Sequence, residues 1–333
     1  MKLSLKYLIF SSLFFIVGVS PVQAQEKIDK LILSGPFAAV SNPLIHMVES
    51  GALNDMAKEV EFVTWANPDQ LRASVLGNKA DFIAMPSNVA ANLYNRGVKL
   101  KLLNISVWGV LWMVSREDGL QTLADFKGKE IAMPFRADMP DIVFSQLAKK
   151  QGLDPKKDFN LRYVSNPLDA MQLLIMRRVD HALLAEPAIS MALRKTKSFP
   201  VKIIAPDLYR SVDLQQEWGR LFERESQIPQ AGMVALEKTL KNPALIKRVN
   251  EEYARSLQWC LDNPEKAGEM VAKYIDLLTP EAVTDSLGVT IFKSVKASEA
   301  KPELEFFFKQ MMEETPALVG GKLPDDAFYF EGS

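Results

Sequence analysis

The side chains best suited to holding a small molecule are scattered along the chain, yet most fall where an apolar run ends. Arg136 lies in Pro134-Phe135-Arg136-Ala137-Asp138, between a short apolar run and a helix start at Pro140. A guanidinium there can grip a carboxylate, sulfonate or phosphate bidentately, aided by free backbone N–H groups and the positive end of the helix. The other reading is a surface arginine paired with Asp138 or Asp141. Trp65, Trp108 and Trp112 end or follow other apolar runs; each indole can pack in a core or form a pocket wall that satisfies its N–H. Ser34, Ser87 and Asn88 can donate hydrogen bonds to a ligand, but such residues also cap helices and make turns, and capping is expected for Asn88. Phe37, Phe135 and Asn166 share the same loops. Glu186, ahead of Pro187, ends a further run, where a carboxylate can meet a cation or an amine or act as a turn acid.

Little else points to catalysis or to a cofactor. His46 and His181 are far apart and lack the Cys or acidic spacing of a metal site, so each is expected to be a packed or surface histidine. There is no glycine-rich dinucleotide loop, no Gly-Lys-Ser/Thr and no Gly-x-Ser-x-Gly. No cofactor or metal is expected. Cys260, the single cysteine, cannot form an internal disulfide; its helical spacing with Tyr253 and Leu257 predicts a buried thiol.

The elements that must position these residues alternate. Strands are expected over Ile28–Leu33, Val60–Trp65, Ala80–Met85 and Val98–Val107, with helices from Asn42, Gln70 and Val89 between them. Such alternation predicts parallel sheets with helices on both faces, and ligands collect at the carboxyl ends of their strands. The loops gathered there are Ser34–Phe37, Trp65–Asn67, Met85–Asn88 and Ser106–Gly109. Leu111–Ser115 would carry the chain to a second lobe, built from Glu130–Met133, Asn160–Val164, Val179–Leu184 and Val201–Ala205 with helices from Pro140 and Leu168. Residues 206–230 read as polar and irregular. Gly232–Leu236 then reads as a strand running back beside Leu111–Ser115, so that two crossing strands make a hinge. From Asn242-Pro243 onward the pattern is helical, with further starts at Asn263-Pro264, Thr279-Pro280 and Lys301-Pro302.

The N-terminus carries Lys2 and Lys6, an uncharged run from Tyr7 to Val19 and then Ser20-Pro-Val-Gln-Ala24. This is the tripartite pattern of an export signal, with cleavage expected after Ala24. The run is short of the ~20 apolar residues that a spanning helix needs, and retention as an anchor is the alternative. With 40 basic against 41 acidic residues, the chain offers no electrostatic case for nucleic acid or a membrane surface. About 300 residues remain, enough for two full cores.

Several short segments, in their order and spacing, resemble the ABC-transporter solute-binding proteins of the nitrate, sulfonate and taurine type. They are Gly35-Pro36, Asn42-Pro43 with Glu49-Ser-Gly-Ala-Leu53, Gly77-Asn-Lys-Ala-Asp81, Leu123-Ala-Asp-Phe-Lys-Gly-Lys129, Gly152-Leu-Asp-Pro155, Arg178-Val-Asp180 with Glu186-Pro187, and Asn263-Pro264. The chain departs from that pattern at Arg178, where a glycine is usual, and at Phe135–Asp138, where a glycine-rich loop is usual. The resemblance implies a two-lobed α/β protein of the periplasmic-binding type, with residues 25–114 and 208–333 as one lobe and 115–207 as the other. It implies a monomer that closes on a small organic solute, anionic or aromatic, and presents the closed form to permease subunits in the inner membrane. The ligand-facing set expected on these grounds is Ser34, Phe37, Trp65, Ser87, Asn88, Trp108, Phe135, Arg136, Asn166 and Glu186. Enzymes of the thiamine-pyrimidine-synthase or menaquinone-pathway kind share the fold, and a sensory module is a further alternative.

Overall fold

A computed structural model describes residues 27–204 and 207–332. The expected export signal lies outside them. Strands β1 (Ile28–Pro36), β2 (Ala57–Trp65) and β3 (Phe82–Pro86) form the parallel centre of one sheet, with α1 (Asn42–Glu49), α2 (Pro68–Leu76) and α3 (Ser87–Asn95) as crossovers. The local signals are plain: Pro43 and Pro68 occupy first turns, and the Asn67 side chain accepts the Gln70 N–H at 2.9 Å. The apolar run over 98–107 divides into β4 (Leu100–Leu102) and β5 (Asn104–Gly109).

After Val110 the chain enters β6 (Leu111–Ser115), a member of a second sheet. That sheet adds β7 (Glu130–Pro134), β8 (Asn160–Val164), β9 (His181–Ala185) and β10 (Tyr209–Asp213), in the order β10-β6-β9-β7-β8. Its helices are α4 (Met139–Lys150), α5 (Pro167–Ile175), α6 (Ala188–Lys197) and the short α7 (Val201–Ile204). The chain returns through α8 (Leu214–Phe222) to β11 (Ala231–Leu236), then α9 (Pro243–Asp262), α10 (Pro264–Ala272), α11 (Pro280–Val289), β12 (Ile291–Lys296) and α12 (Ala297–Glu314). The first sheet runs β12-β5-β11-β3-β1-β2, with β4 also against β11.

Both sheets are mixed, for a topological reason. β1, β2 and β3, like β7, β8 and β9, are parallel and joined by helices, whereas β6 and β11 each enter a sheet from the other lobe. A strand that enters from the cleft must run opposite to those that end there. This corrects the expected hinge pairing. β11 lies against β3, β4 and β5, and β6 lies between β10 and β9. Sheet membership therefore changes at Val110 and between Asp213 and Ala231, rather than at 114/115 and 207/208.

The segment expected to be irregular thus holds both β10 and α8. Only Val212 of β10 is buried, so the strand carries little apolar signal, while α8 buries Leu214 and Trp218 on one face. Conversely, Val201–Ile204 is helical rather than a strand, with Lys202 and Ile203 exposed. α12 begins at Ala297, ahead of Pro302, and buries Phe307, Phe308 and Met311.

The cores follow the period of a strand buried on both faces. Phe82 and Ala84 of β3 join one apolar cluster while Ile83 and Met85 join the other; in β9, Ala182 and Leu184 oppose Leu183 in the same way. Cys260 is buried in α9, and burial pushes its thiol up to about 12. Among the described residues no helix is long and apolar enough to cross a membrane.

Candidate functional site

Where the carboxyl ends of the two sheets face each other they enclose a cavity of about 100 Å³. Pro36 to Val40 after β1, Trp65 of β2, Leu71 of α2 and Met85-Pro86 of β3 supply the first lobe's wall; Phe135, Met139, Pro140, Pro167 and Ala185 supply the second's. Val107, Val110, Leu111 and Ala231 close it at the crossings. The wall is apolar except for two side chains, Asp138 and Gln230.

Gln230 is 2% exposed, and its backbone is pinned, with the N–H donated to the Val107 carbonyl at 3.0 Å and the carbonyl accepting from Ser87 N–H at 2.9 Å. Its side-chain oxygen and nitrogen both lack partners. Asp138 caps α4, one oxygen accepting the Met139 N–H at 2.9 Å, and burial raises its pKa above the ordinary carboxylate range. The Met139 N–H, the charge of Arg72 and the side-chain amide of Asn88 act the other way. Asn88 thus faces Asp138 from the opposite lobe, and its Oδ1 is buried without a partner. Buried polar atoms are normally paired. With the Asp138 carboxyl engaged by the Met139 N–H and the Asn88 amide, the unpartnered atoms of this group are the Asn88 oxygen, the Gln230 oxygen and the Gln230 nitrogen.

The loop that brings Asp138 here is held in an unusual shape. Phe135 and Ala137 are both left-handed, at φ 57° each, a region that side-chain-bearing residues seldom adopt. Phe135 N–H reaches the Val164 carbonyl at 3.2 Å, Asp138 N–H the Phe135 carbonyl at 2.9 Å, and Ala137 N–H the Asp141 carboxylate at 2.8 Å. The backbone donors expected to face an anion are therefore partly filled by the chain's own carboxylates. Asp141, also raised by burial, accepts from the Tyr163 hydroxyl at 3.2 Å.

Of the ten residues expected to face a ligand, Trp65 and Phe135 line this cavity and Asn88 borders it through Asp138. The indole of Trp65 donates to the Ala84 carbonyl at 3.1 Å. Trp108 is not in the wall; it is 2% exposed and donates to the Lys293 carbonyl at 2.8 Å, because β12 offers an acceptor on the far side of β5. Trp112 also lies outside the wall. Glu186 is fully buried in an internal ion pair with Arg210, which reaches it through Nε at 3.1 Å and through Nη2, while Ser190 N–H bonds its other oxygen at 3.1 Å. β10, unforeseen in the sequence, supplies that arginine. Asn166 caps α5 by accepting the Asp169 N–H at 3.0 Å. Ser87 donates to the Pro229 carbonyl at 2.6 Å, tying α3 to the returning chain. Ser34 is buried within β1 with its hydroxyl unpartnered, and Phe37 packs against the apolar core beside Pro36 and Ala38.

Arg136 stands outside the inner cavity. It is exposed, over the Tyr163 ring at 5.1 Å, in a wider outer cavity of about 430 Å³ that also takes Asp69 and Arg72 from the first lobe. The residues missed by sequence reasoning are Asp138 and Gln230. Asp138 had a visible signal as the residue before a helix start; Gln230 had none, since it lies in the segment that read as irregular.

The histidines are packed. His46 stacks on Trp259 with ring centroids 4.1 Å apart, and its Nδ1 lies 2.9 Å from Ser256 Oγ. His181 Nδ1 lies 3.0 Å from Ser115 Oγ and Nε2 lies 3.4 Å from Glu117. That trio has the composition of a hydrolase relay, but Ser115 is fully buried and its Oγ also accepts the Glu117 N–H at 2.8 Å. Among the described residues no group of His, Cys, Asp and Glu is placed to hold a metal.

Two lobes, crossed twice by the chain, with a cavity between the carboxyl ends of their strands, define a hinged solute-binding fold. Solved structures agree. An ABC transporter protein from Parabacteroides distasonis superposes with a TM-score of 0.72 at 23% identity, over 92% of this chain and 100% of that one. The periplasmic nitrate-binding protein NrtA from Synechocystis PCC 6803 gives 0.68 at 16%, over 86% and 82%. The periplasmic aliphatic sulphonate-binding protein SsuA from Escherichia coli gives 0.63 at 15%, over 89% and 92%. No curated protein matches the sequence. Residues 43–249 match the family described as ABC transporter, phosphonate, periplasmic substrate-binding protein, and the chain belongs to that family. It is a periplasmic substrate-binding component of an ABC transporter.

Proposed function

We propose that this receptor takes a small, largely apolar organic solute carrying an N–H or ammonium group, and that the solute sits in the inner cavity with that group toward Asp138, Asn88 and Gln230. The carrying observation is an almost wholly apolar wall with the unpartnered Asn88 and Gln230 side-chain atoms and the Asp138 carboxyl buried just behind it. A free anion placed there would meet Asp138 with no cation in the wall to offset it. A cationic or N–H-bearing group would instead offset the Asp138 charge and offer a donor to the Asn88 and Gln230 oxygens. Trp65 and Phe135, one from each lobe, would flank an aromatic or aliphatic body. Contacts made to both lobes favour the closed state, which the permease subunits then recognise.

In this reading the protein acts as a monomer without turnover, is exported with cleavage after Ala24, and has its lobe boundaries at Val110 and between Asp213 and Ala231. The test is isothermal titration of the purified protein with 2-phenylethylamine and with 3-phenylpropionate, with mass spectrometry of the small molecule before and after. Saturable binding of the amine, weaker binding of the carboxylate and an unchanged mass are expected. Preference for the carboxylate would sink the proposed polarity of the cavity, and chemical conversion would sink the receptor reading.

A further inference from the structure

The chain passes between the lobes twice, at Val110 and through α8, and one buried side chain joins the two passages. Gln215, in the first turn of α8, is 1% exposed. Its Oε1 accepts the Val110 N–H at 3.2 Å and the Leu111 N–H at 2.9 Å. Its Nε2 donates to the Leu111 carbonyl at 3.0 Å and to Asp213 Oδ1 at 2.8 Å. Both acceptor positions and both donors of the amide are therefore used, and three of these bonds go to the backbone of the other passage. The same Asp213 oxygen caps α8, accepting the Gln215 N–H at 2.8 Å and the Gln216 N–H at 3.1 Å. Gly109 makes room for the contact, since a Cβ there would stand 2.7 Å from Gln215 Cγ.

Around this joint α8 touches both lobes. Trp218 packs on Phe307 of α12 with ring centroids 5.5 Å apart, and Glu217 accepts from the side chain of Gln151, just past α4, at 2.6 Å. Val110 and Leu111 line the inner cavity, and the Val110 carbonyl accepts the Glu186 N–H of the second lobe at 3.0 Å. An amide that bridges two passages removes their freedom to bend separately, and its buried bonds meet no competition from water. We infer that α8 is the axle on which the lobes turn and that Gln215 is its pin, a positioning residue that sets the angle of closure and the crossing wall of the cavity through Val110 and Leu111. The role rests on the reading that solute is held between the lobes, and is independent of which solute that is. Without the pin the lobes sample more orientations, fewer of which match the closed arrangement, so affinity falls although no contact to solute is lost.

The experiment needs no solute. Nitroxide labels are attached at Lys79→Cys in the first lobe and Lys156→Cys in the second, both exposed positions, while Cys260 stays unlabelled because it is buried. Pulsed electron paramagnetic resonance then reads the distribution of distances between the lobes with Gln215 intact and in Gln215→Leu, Gln215→Glu and Ser106→Ala. Leucine removes all four bonds, and glutamate keeps the shape but loses both donors and sets a carboxylate against Asp213. Ser106→Ala removes a buried 2.7 Å contact with Tyr253 inside the first lobe, a loss confined to one core. A single narrow distribution is expected with Gln215 intact and in Ser106→Ala, and one about twofold or more broader in both Gln215 variants. Equal widths throughout, or equal broadening in Ser106→Ala, would overturn the pin. Amide hydrogen exchange of the unmodified protein gives a reading that does not depend on how the variants fold. The Val110 and Leu111 N–H groups are expected to exchange as slowly as the centre of β6, and exchange at the rate of an open loop would also overturn the pin. Since 2-phenylethylamine plays no part, failure of the amine reading leaves both measurements standing.

Discussion

Two strand-to-helix loops occupy equivalent places on either side of the cavity, one after β3 and one after β7, and they treat their polar atoms differently. After β3 the loop is a single turn into α3. Ser87 donates outward to Pro229, Pro86 stands at the cap without a side-chain bond, and Asn88 keeps an oxygen unpaired. After β7 the loop takes two left-handed residues and turns Asp138 and Asp141 back onto its own N–H groups. The first loop is stabilised by the rest of the molecule and the second by itself. A helix start that supplies its own carboxylates is a poorer anion site, which is why the solute proposed above carries a donor rather than an acceptor.

The comparison can be broken first through the returning chain on which the β3 loop leans. A Cβ on Gly232 would stand 1.8 Å from the Asn104 carbonyl, because β11 passes between β3 and β5 at the crossing. Gly232→Ala is expected to cost about 3 kcal/mol or more, read from urea denaturation. A loss under ~1 kcal/mol would show that the crossing is loosely packed.

Trp65 and Phe135 provide the next contrast. Trp65 is 5% exposed and joined to β3 by its indole N–H, whereas Phe135 is half-buried. Trp65→Ala should lower stability by about 3 kcal/mol, and Phe135→Ala by about 1 kcal/mol, since only a half-buried ring is lost and the Cβ stays in the left-handed region. Equal losses would mean that the β7 loop depends on the tertiary structure as much as the β3 loop does.

Asp138→Asn sharpens the electrostatic side. The Asp138 pKa is raised in the folded protein, so its contribution to stability is fully present below the ordinary carboxylate pKa and is lost as pH rises through the folded value. The stability of wild type relative to Asp138→Asn should therefore fall from acid toward neutral pH. Affinity for 2-phenylethylamine moves the other way, weakening on acidification through the same range as the carboxylate is protonated, and the substitution should remove that dependence. A pH-independent stability difference would contradict a buried, titrating Asp138.

The smallest effect belongs to Asn88→Ala. Its side chain favours the ionised form of Asp138, and its loss should cost stability by less than about 1 kcal/mol while moving the midpoint of the amine-binding pH profile upward. An unmoved midpoint would separate Asn88 from the acid it faces.

Much of the fold was legible because its signals are local. Pro43, Pro68 and Pro140 mark first turns, Asn67 and Asn166 cap their helices, and the apolar runs of β1, β3, β7 and β9 have the length and composition of strands buried on both faces. The order of those elements implied two lobes with loops gathered at a cleft, and the aromatic residues Trp65 and Phe135 were found from their place at strand ends. β10 was invisible because an edge strand with one buried residue carries little apolar periodicity.

Within the site, the residue types and their loops were set by sequence, and their partners by tertiary packing. Trp108 and Trp65 look alike along the chain, yet one indole finds the Lys293 carbonyl behind its strand and the other finds the cavity wall. Glu186 looked available until β10 brought Arg210 against it. Gln230 became a cavity residue only because the returning chain is pinned to Val107 and Ser87. A side chain's type limits the bonds it can make, whereas which bonds remain open depends on groups far away in sequence that only the folded chain brings within reach.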